Sequence, residues 1–320
     1  GAFNTLAGKT FTTGDLVWLR RVTRGSDYSS SIVSGVAGVI FIGWPISGDA
    51  YYSTRPSGAQ ATWDADGDNH AKFSFTSSTN FQFNANNIET HRLYVLSKTA
   101  GTSAVTYGSV TGGKLYNCVY ENNAASCTCA GINLTSSNTG FIISGCEFKF
   151  STWTPSANYV MALAGATCTV NDCTFTVTSA TPSGTVYLLH VNAATIYVAG
   201  ITAAIGTLAG STGLGGVLVG SSGTSAIVLG VSATVTTHSN SASVPALSVQ
   251  ASNIYARKLA INYGNSIQVN STYADIEVTS FTQRHALTSG GIQLTSNAHG
   301  CLLSVQNPTF VPGNTTADVL

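Results

Sequence analysis

Asn117-Cys118-Val119-Tyr120, Gly145-Cys146-Glu147-Phe148 and Asp172-Cys173-Thr174-Phe175 repeat one pattern at a nearly constant step. The step continues without its cysteine to Ile201 in Gly-Ile-Thr-Ala, Val231 in Gly-Val-Ser-Ala and Leu259 in Lys-Leu-Ala-Ile. Each time an apolar residue is followed two positions later by another. A second ladder runs in phase: Ile132-Asn133-Leu134, Met161-Ala162-Leu163, Leu189-His190-Val191, Val217-Leu218-Val219, Leu247-Ser248-Val249, Ile267-Gln268-Val269 and Ile292-Gln293-Leu294. Its spacing is nearly even as far as Val249 and shorter from there to Val269 and Leu294.

Apolar residues at period two mark short strands that turn one face to a core. A repeat of this length marks an array whose units bury that face only against their neighbours. Two or three short strands per coil of about 28 residues is the pattern of a parallel β-helix. Leucine-rich repeats need a leucine and asparagine consensus, and propeller blades need about 40 residues. Neither fits.

Charged residues make up 8% of the 320-residue chain, against about 25% in an average globular protein, while hydrophobic residues reach 43%. That hydrophobic share excludes a disordered polar chain. No Asp, Glu, Lys or Arg occurs from Cys173 to Ala256. Proteins normally stay soluble through surface charge, so this stretch is expected to pack against another copy. The formal net charge of zero and the lack of a basic stripe leave no electrostatic footprint for nucleic acid. No apolar run reaches the roughly 18 residues of a membrane span, and no secretory leader is read at Gly1. Cys118, Cys146 and Cys173 occupy core positions of the ladder and are expected to be reduced, inward thiols. Cys127 and Cys129 share a face, but no second pair or histidine cluster completes a metal site with them. No cofactor motif is present.

The opening Gly14-Asp15-Leu16-Val17-Trp18-Leu19-Arg20-Arg21 reads as a turn feeding a strand. It resembles the start of right-handed pectin-lyase-like β-helix proteins. The low-charge Thr/Ser/Asn/Gly coils that follow are similar to tailspike, fibre and appendage proteins of tailed bacteriophages, and Pro45 to Asp68 looks like segments of phage structural proteins. The resemblance implies an all-β, right-handed parallel β-helix in a virion setting, assembled in the host cytoplasm. It also implies homotrimers, other virion proteins bound through the N-terminal region, and host surface polysaccharide as a contact.

Residues 1–70 lack the clear beat and are expected to form a capping or attachment region, residues 71–310 the β-helix and 311–320 a tail. Phe73-Ser74-Phe75, Phe81-Gln82-Phe83 and Leu93-Tyr94-Val95 read as first coils, and Tyr107 as the start of the regular array. Thr279-Ser280-Phe281 and Pro308-Thr309-Phe310, one coil apart, read as partners in a last coil.

Chemistry has two candidate places. Asp64, Asp66 and Asp68 alternate as at the start of a calcium loop, but the glycine falls at the fourth loop position and Phe75 stands where glutamate is needed. An ordinary solvated turn is the simpler reading. Glu121 and Glu147 face outward on adjacent rungs if the cysteines face inward, with Asp172 expected on the next. That places the two glutamates roughly 8 Å apart, within the range of inverting glycosidases. Lys149 is close enough to be a plain ion-pair partner. The six histidines form no recognisable catalytic arrangement, and His190 is expected to point outward.

These features favour a non-enzymatic structural or adhesion protein. A polysaccharide-cleaving tailspike using the three carboxylates is the alternative. A secreted bacterial adhesin or ice-binding solenoid comes third, since Thr pairs do not recur at every rung.

Overall fold

A computed structural model of the chain describes residues 10–19, 33–43, 50, 53, 71–75, 81–97, 105–107, 109–122, 129–134, 137–150, 159–163, 167–180, 186–191, 195–208, 214–219, 225–229, 231–238, 247–249, 255–262, 267–270, 273–282, 292–294 and 300–309. Among them there are strands and no α-helix, and every strand pairing is parallel. The strands form a 19-stranded and a 10-stranded sheet wound as a β-solenoid.

Each regular coil visits three faces. One face of the large sheet carries Glu89–His91, Lys114–Tyr116, Thr139–Ser144, Thr167–Asn171 and Thr195–Ala199. After a sharp corner the chain enters the second face at Leu93–Ser97, Val119–Asn122, Glu147–Phe150, Thr174–Ala180 and Ile201–Leu208. A variable connection then leads to the third face, the ten-stranded sheet, which includes Val105–Tyr107, Cys129–Leu134, Tyr159–Leu163 and Val186–Val191.

The corner between the first two faces turns on one left-handed residue per coil: Arg92, Asn117, Gly145, Asp172 and Gly200, with φ of 51°, 53°, 64°, 50° and 63°. Gly and Asx tolerate that region best, which accounts for Asn, Gly and Asp before the three cysteines. The corners stack through the backbone. The Asn117 amide donates to Ser144, Gly145 to Asn171 and Asp172 to Ala199, at 2.9 to 3.0 Å.

Inside, side chains line up in columns. Phe41, Thr90, Leu115, Ile143, Val170 and Val198 stand opposite one another on the first face, all buried. Val95, Tyr120, Phe148, Phe175 and Ala203 do the same on the second. Three of these rings stack, Tyr120 on Phe148 with centroids 5.5 Å apart and Phe148 on Phe175 at 5.0 Å. Each such ring contributes about 1.5–3 kcal/mol by burial, and offset stacking adds to it.

The third face keeps the expected register throughout: Leu134, Leu163, Val191, Val219, Val249, Val269 and Leu294 are successive partners, including across the two shortened steps that follow Val249. Cys118, Cys146 and Cys173 are buried free thiols, as is Cys168. Each of the three donates back to the carbonyl two residues before it, at Tyr116, Ser144 and Asn171.

Two expectations differ. Parallel pairing begins well before residue 70: Leu16–Trp18 pairs with Ile40–Ile42, which pairs with Glu89–His91. The turn feeding the first strand is present, with Asp15 accepting from the Thr12 amide at 2.7 Å. At the far end Phe281 stands opposite Pro308 and Thr282 opposite Thr309, two residues away from the expected pairing. Residues 311–320 lie outside the described residues.

Candidate functional site

Glu121 and Glu147 lie on adjacent strands, offset by two residues. Glu121 lies opposite Lys149, and Glu147 opposite Val119 on one side and Thr174 on the other. Both occupy outward positions on the second face, as the inward cysteines require. Each is already held: the Tyr94 hydroxyl donates to Glu121 Oε2, and Lys149 Nζ sits 3.0 Å from Glu147 Oε2. Asp172 lies on the next coil, at its corner and not within a strand. It is the left-handed corner residue, in line with Asn117 and Gly145. Its identity follows from the turn.

Carboxylates used for acid or base catalysis need a proton path to a substrate atom and an environment that tunes them. Here one is bound by a phenol, one by an exposed lysine and one serves the backbone. Asp64, Asp66 and Asp68 lie outside the described residues, and among the described residues no group of three or more His, Cys, Asp and Glu could hold a metal ion. His190 is partly exposed beside fully buried Leu189, as expected of an outward side chain, and burial lowers its imidazole from the ordinary histidine value.

A tighter polar group sits on the first face. Glu89 Oε1 is 2.6 Å from His91 Nε2, and Lys114 Nζ is 3.5 Å from Glu89 Oε2. The His91 ring stacks on Tyr116 with centroids 4.9 Å apart. The side chains of Glu89 and His91 are only 16% and 8% exposed, although Thr90 between them is the inward residue. The hydrogen bond to His91 holds the Glu89 carboxyl below its usual range against the opposing effect of burial, with Lys114 adding to it. The sequence signal for this pair is Glu-x-His within a strand, which places both side chains on one face. Polar Thr90 at the core position obscures it.

The remaining outward surface is neutral over several rungs. Thr167, Thr169, Asn171, Thr174, Thr176, Thr178, Tyr197, Thr202 and Ala204 are exposed or half-buried, and Asp172 is the one charge among them. The rungs that follow, Ser225–Leu229 and Val231–His238, continue without Asp, Glu, Lys or Arg. Among the described residues no helix is long and apolar enough to cross a membrane.

No protein-family model matches the sequence, and no similar curated protein or solved structure was found.

Proposed function

We propose that this chain is a structural and adhesive solenoid of a virion, of tail-fibre, spike or capsid-appendage type, working as a homotrimer. The observation that carries the reading is the hydroxyl-rich flank described from Thr167 to Ala204, with Asp172 its one charge, and continued without charge in sequence to Ala256. A wall of parallel strands with so little charge pays almost no desolvation penalty for ions when a second copy covers it. Its hydroxyls can also meet the hydroxyls of a surface glycan. The engagement of Glu121 and Glu147 by neighbouring side chains favours this reading over polysaccharide cleavage.

The test is the mass in solution by light scattering. A trimer three times the 32.9 kDa chain mass is expected, and a stable monomer at micromolar concentration overturns the assembly. Incubation with capsule or lipopolysaccharide separates the catalytic alternative. New reducing ends or unsaturated sugars that disappear in Glu147→Gln would overturn the non-enzymatic reading.

A further inference from the structure

The described large apolar side chains that remain exposed are Leu16, Tyr197, Tyr273, Leu294 and Leu302. Four of these five lie in the first or last coils. Leu16 is 43% exposed and Leu302 62%. Among the described strands Leu16–Trp18 pairs only with Ile40–Ile42, Leu302–Val305 only with Asp275–Thr282, and Ile292–Leu294 only with Ile267–Val269. Unpaired parallel edges of this kind are templates for another strand.

The two ends match each other. Starting from Leu16, successive partners on the first face are Ile40, Glu89, Lys114, Ile142, Thr169, Tyr197, Ile227, Tyr255, Asp275 and finally Leu302. The same column of backbone partners therefore begins at one exposed leucine and ends at the other. The adjoining inward column begins at Val17 and ends at Leu303, both only partly buried, whereas Phe41 and Ile276, one rung further in, are fully buried. In sequence the two terminal stretches carry opposite net charge. Residues 1–43 hold Lys9, Arg20, Arg21 and Arg24 against Asp15 and Asp27, and residues 273–320 hold Asp275, Glu277 and Asp318 against Arg284.

We propose that copies of this chain associate head to tail, the Leu302–Val305 strand of one copy pairing in parallel with the Leu16–Trp18 strand of the next. Leu302 then faces Leu16 across one rung, Leu303 covers Val17, and the columns run on through the junction. The contact is heterologous: it leaves a free edge at each end of the product and so builds an open chain of copies. It is independent of the lateral, trimeric contact proposed above.

Light scattering over a hundredfold concentration range tests it on the 320-residue chain. Mass should rise with concentration beyond that of any closed lateral assembly. Leu302→Lys and, separately, Leu16→Lys should each abolish the rise while leaving the thermal midpoint in place, since both side chains are exposed. Register is read by disulfide trapping in a Cys301→Ser background. Partners one rung apart, about 4.8 Å, lie within the Cα range of a disulfide. A mixture of Leu16→Cys and Leu302→Cys chains should cross-link, and neither alone should. A mass that stays constant across the range overturns the proposal. So does cross-linking of Leu302→Cys with itself, which means tail-to-tail pairing, and so does growth that survives both lysine substitutions. A constant trimer would overturn this inference while leaving the proposed function standing.

Discussion

The side-chain oxygen of Asn117 occupies the place where a Cβ on Gly145 would have to go, 2.2 Å from it. The same holds for Asp172 beneath Gly200, at 2.3 Å, and for Asn87 beneath Gly112 at another corner, at 2.1 Å. In each pair an Asx side chain on one coil fills the space that glycine leaves on the next. Gly145→Ala therefore meets two obstacles, the clash and a φ of +64°. The second alone costs about 1–2 kcal/mol. Asn117→Gly removes the first obstacle and not the second, so the double variant should recover about 1 kcal/mol relative to additivity. Chemical denaturation of the four proteins of the cycle measures it; strict additivity would mean that the corners do not interlock.

Asp172→Asn should be nearly silent, within about 0.5 kcal/mol, because asparagine accepts the same left-handed turn. Asp172→Val should cost more than the asparagine change, since a β-branched residue at positive φ is strained. Thermal melts of the two variants decide whether this carboxylate serves the turn. Equal losses would require its charge.

The thiol column predicts a graded series. Cys146→Asp buries an unpaired carboxylate or forces it to stay protonated, at a cost of about 3–5 kcal/mol. Cys146→Ser should be milder, and Cys146→Val, close in volume, milder still. Burial pushes the Cys146 thiol up and the Cys168 thiol up to about 12, so their thiolates are scarce at neutral pH. Cys118 is brought down to about 6, burial being outweighed by its hydrogen bonds to Cys146 and neighbouring groups, and is shielded by having no exposed surface. A thiol reagent should modify half-buried Cys301 before Cys118, Cys146, Cys168 or Cys173. Rapid labelling of all five in the folded protein would contradict the inward column.

Phe148 stands between two stacked rings, and its neighbours cannot close over a gap without moving both. Phe148→Ala should destabilise by about 3–5 kcal/mol, and Phe148→Leu by less. Loss of melting temperature gives the ranking, which a loosely packed second face would erase.

Glu89 gives the fold an acid-sensitive contact. Its carboxyl titrates lower in the folded chain than in the unfolded one, because His91 and Lys114 favour the ionised form. The folded state thus gains stability above the unfolded carboxylate value near 4.3, and this gain is lost as pH falls through the lower folded value. Water beside half-exposed Lys114 keeps the gain below about 1 kcal/mol. Melting temperature followed from pH 6 to 3 should fall less steeply in Glu89→Gln than in the parent; parallel curves would remove the contact from the acid response.

How far the coils can be read from sequence depends on what each face shows the outside. On the third face, apolar residues alternate with polar ones such as Asn133, His190 and Gln268, and register follows even where the step shortens after Val249. On the first face Ile142 and Tyr197 are outward beside inward Ile143 and Val198, so alternation is weak and strands such as Thr139–Ser144 are not legible. The pairing of Leu16–Trp18 with Ile40–Ile42 escapes because Ile42 on the first face and Ala71 on the second are a whole coil's length apart in sequence, which breaks the even step. The pairing of Thr279 with Pro308 fails for a different reason. A slip of two residues leaves every side chain on its proper face, so hydrophobic pattern cannot detect it. At the candidate site, the outward placement of Glu121 and Glu147 is legible from the cysteines. The role of Asp172 is not, because a turn residue and a strand residue at that position look alike until φ is known.

The hydrogen bonds that join successive coils run along the axis of the solenoid, so a pull on its two ends would load them in tension one rung at a time. Pro308–Thr309, paired over two residues, should part first, and the coils holding Tyr120, Phe148 and Phe175 last. An extension trace would then be a staircase whose treads each release a single coil of chain, and the solenoid would lengthen under a tug without letting go at once.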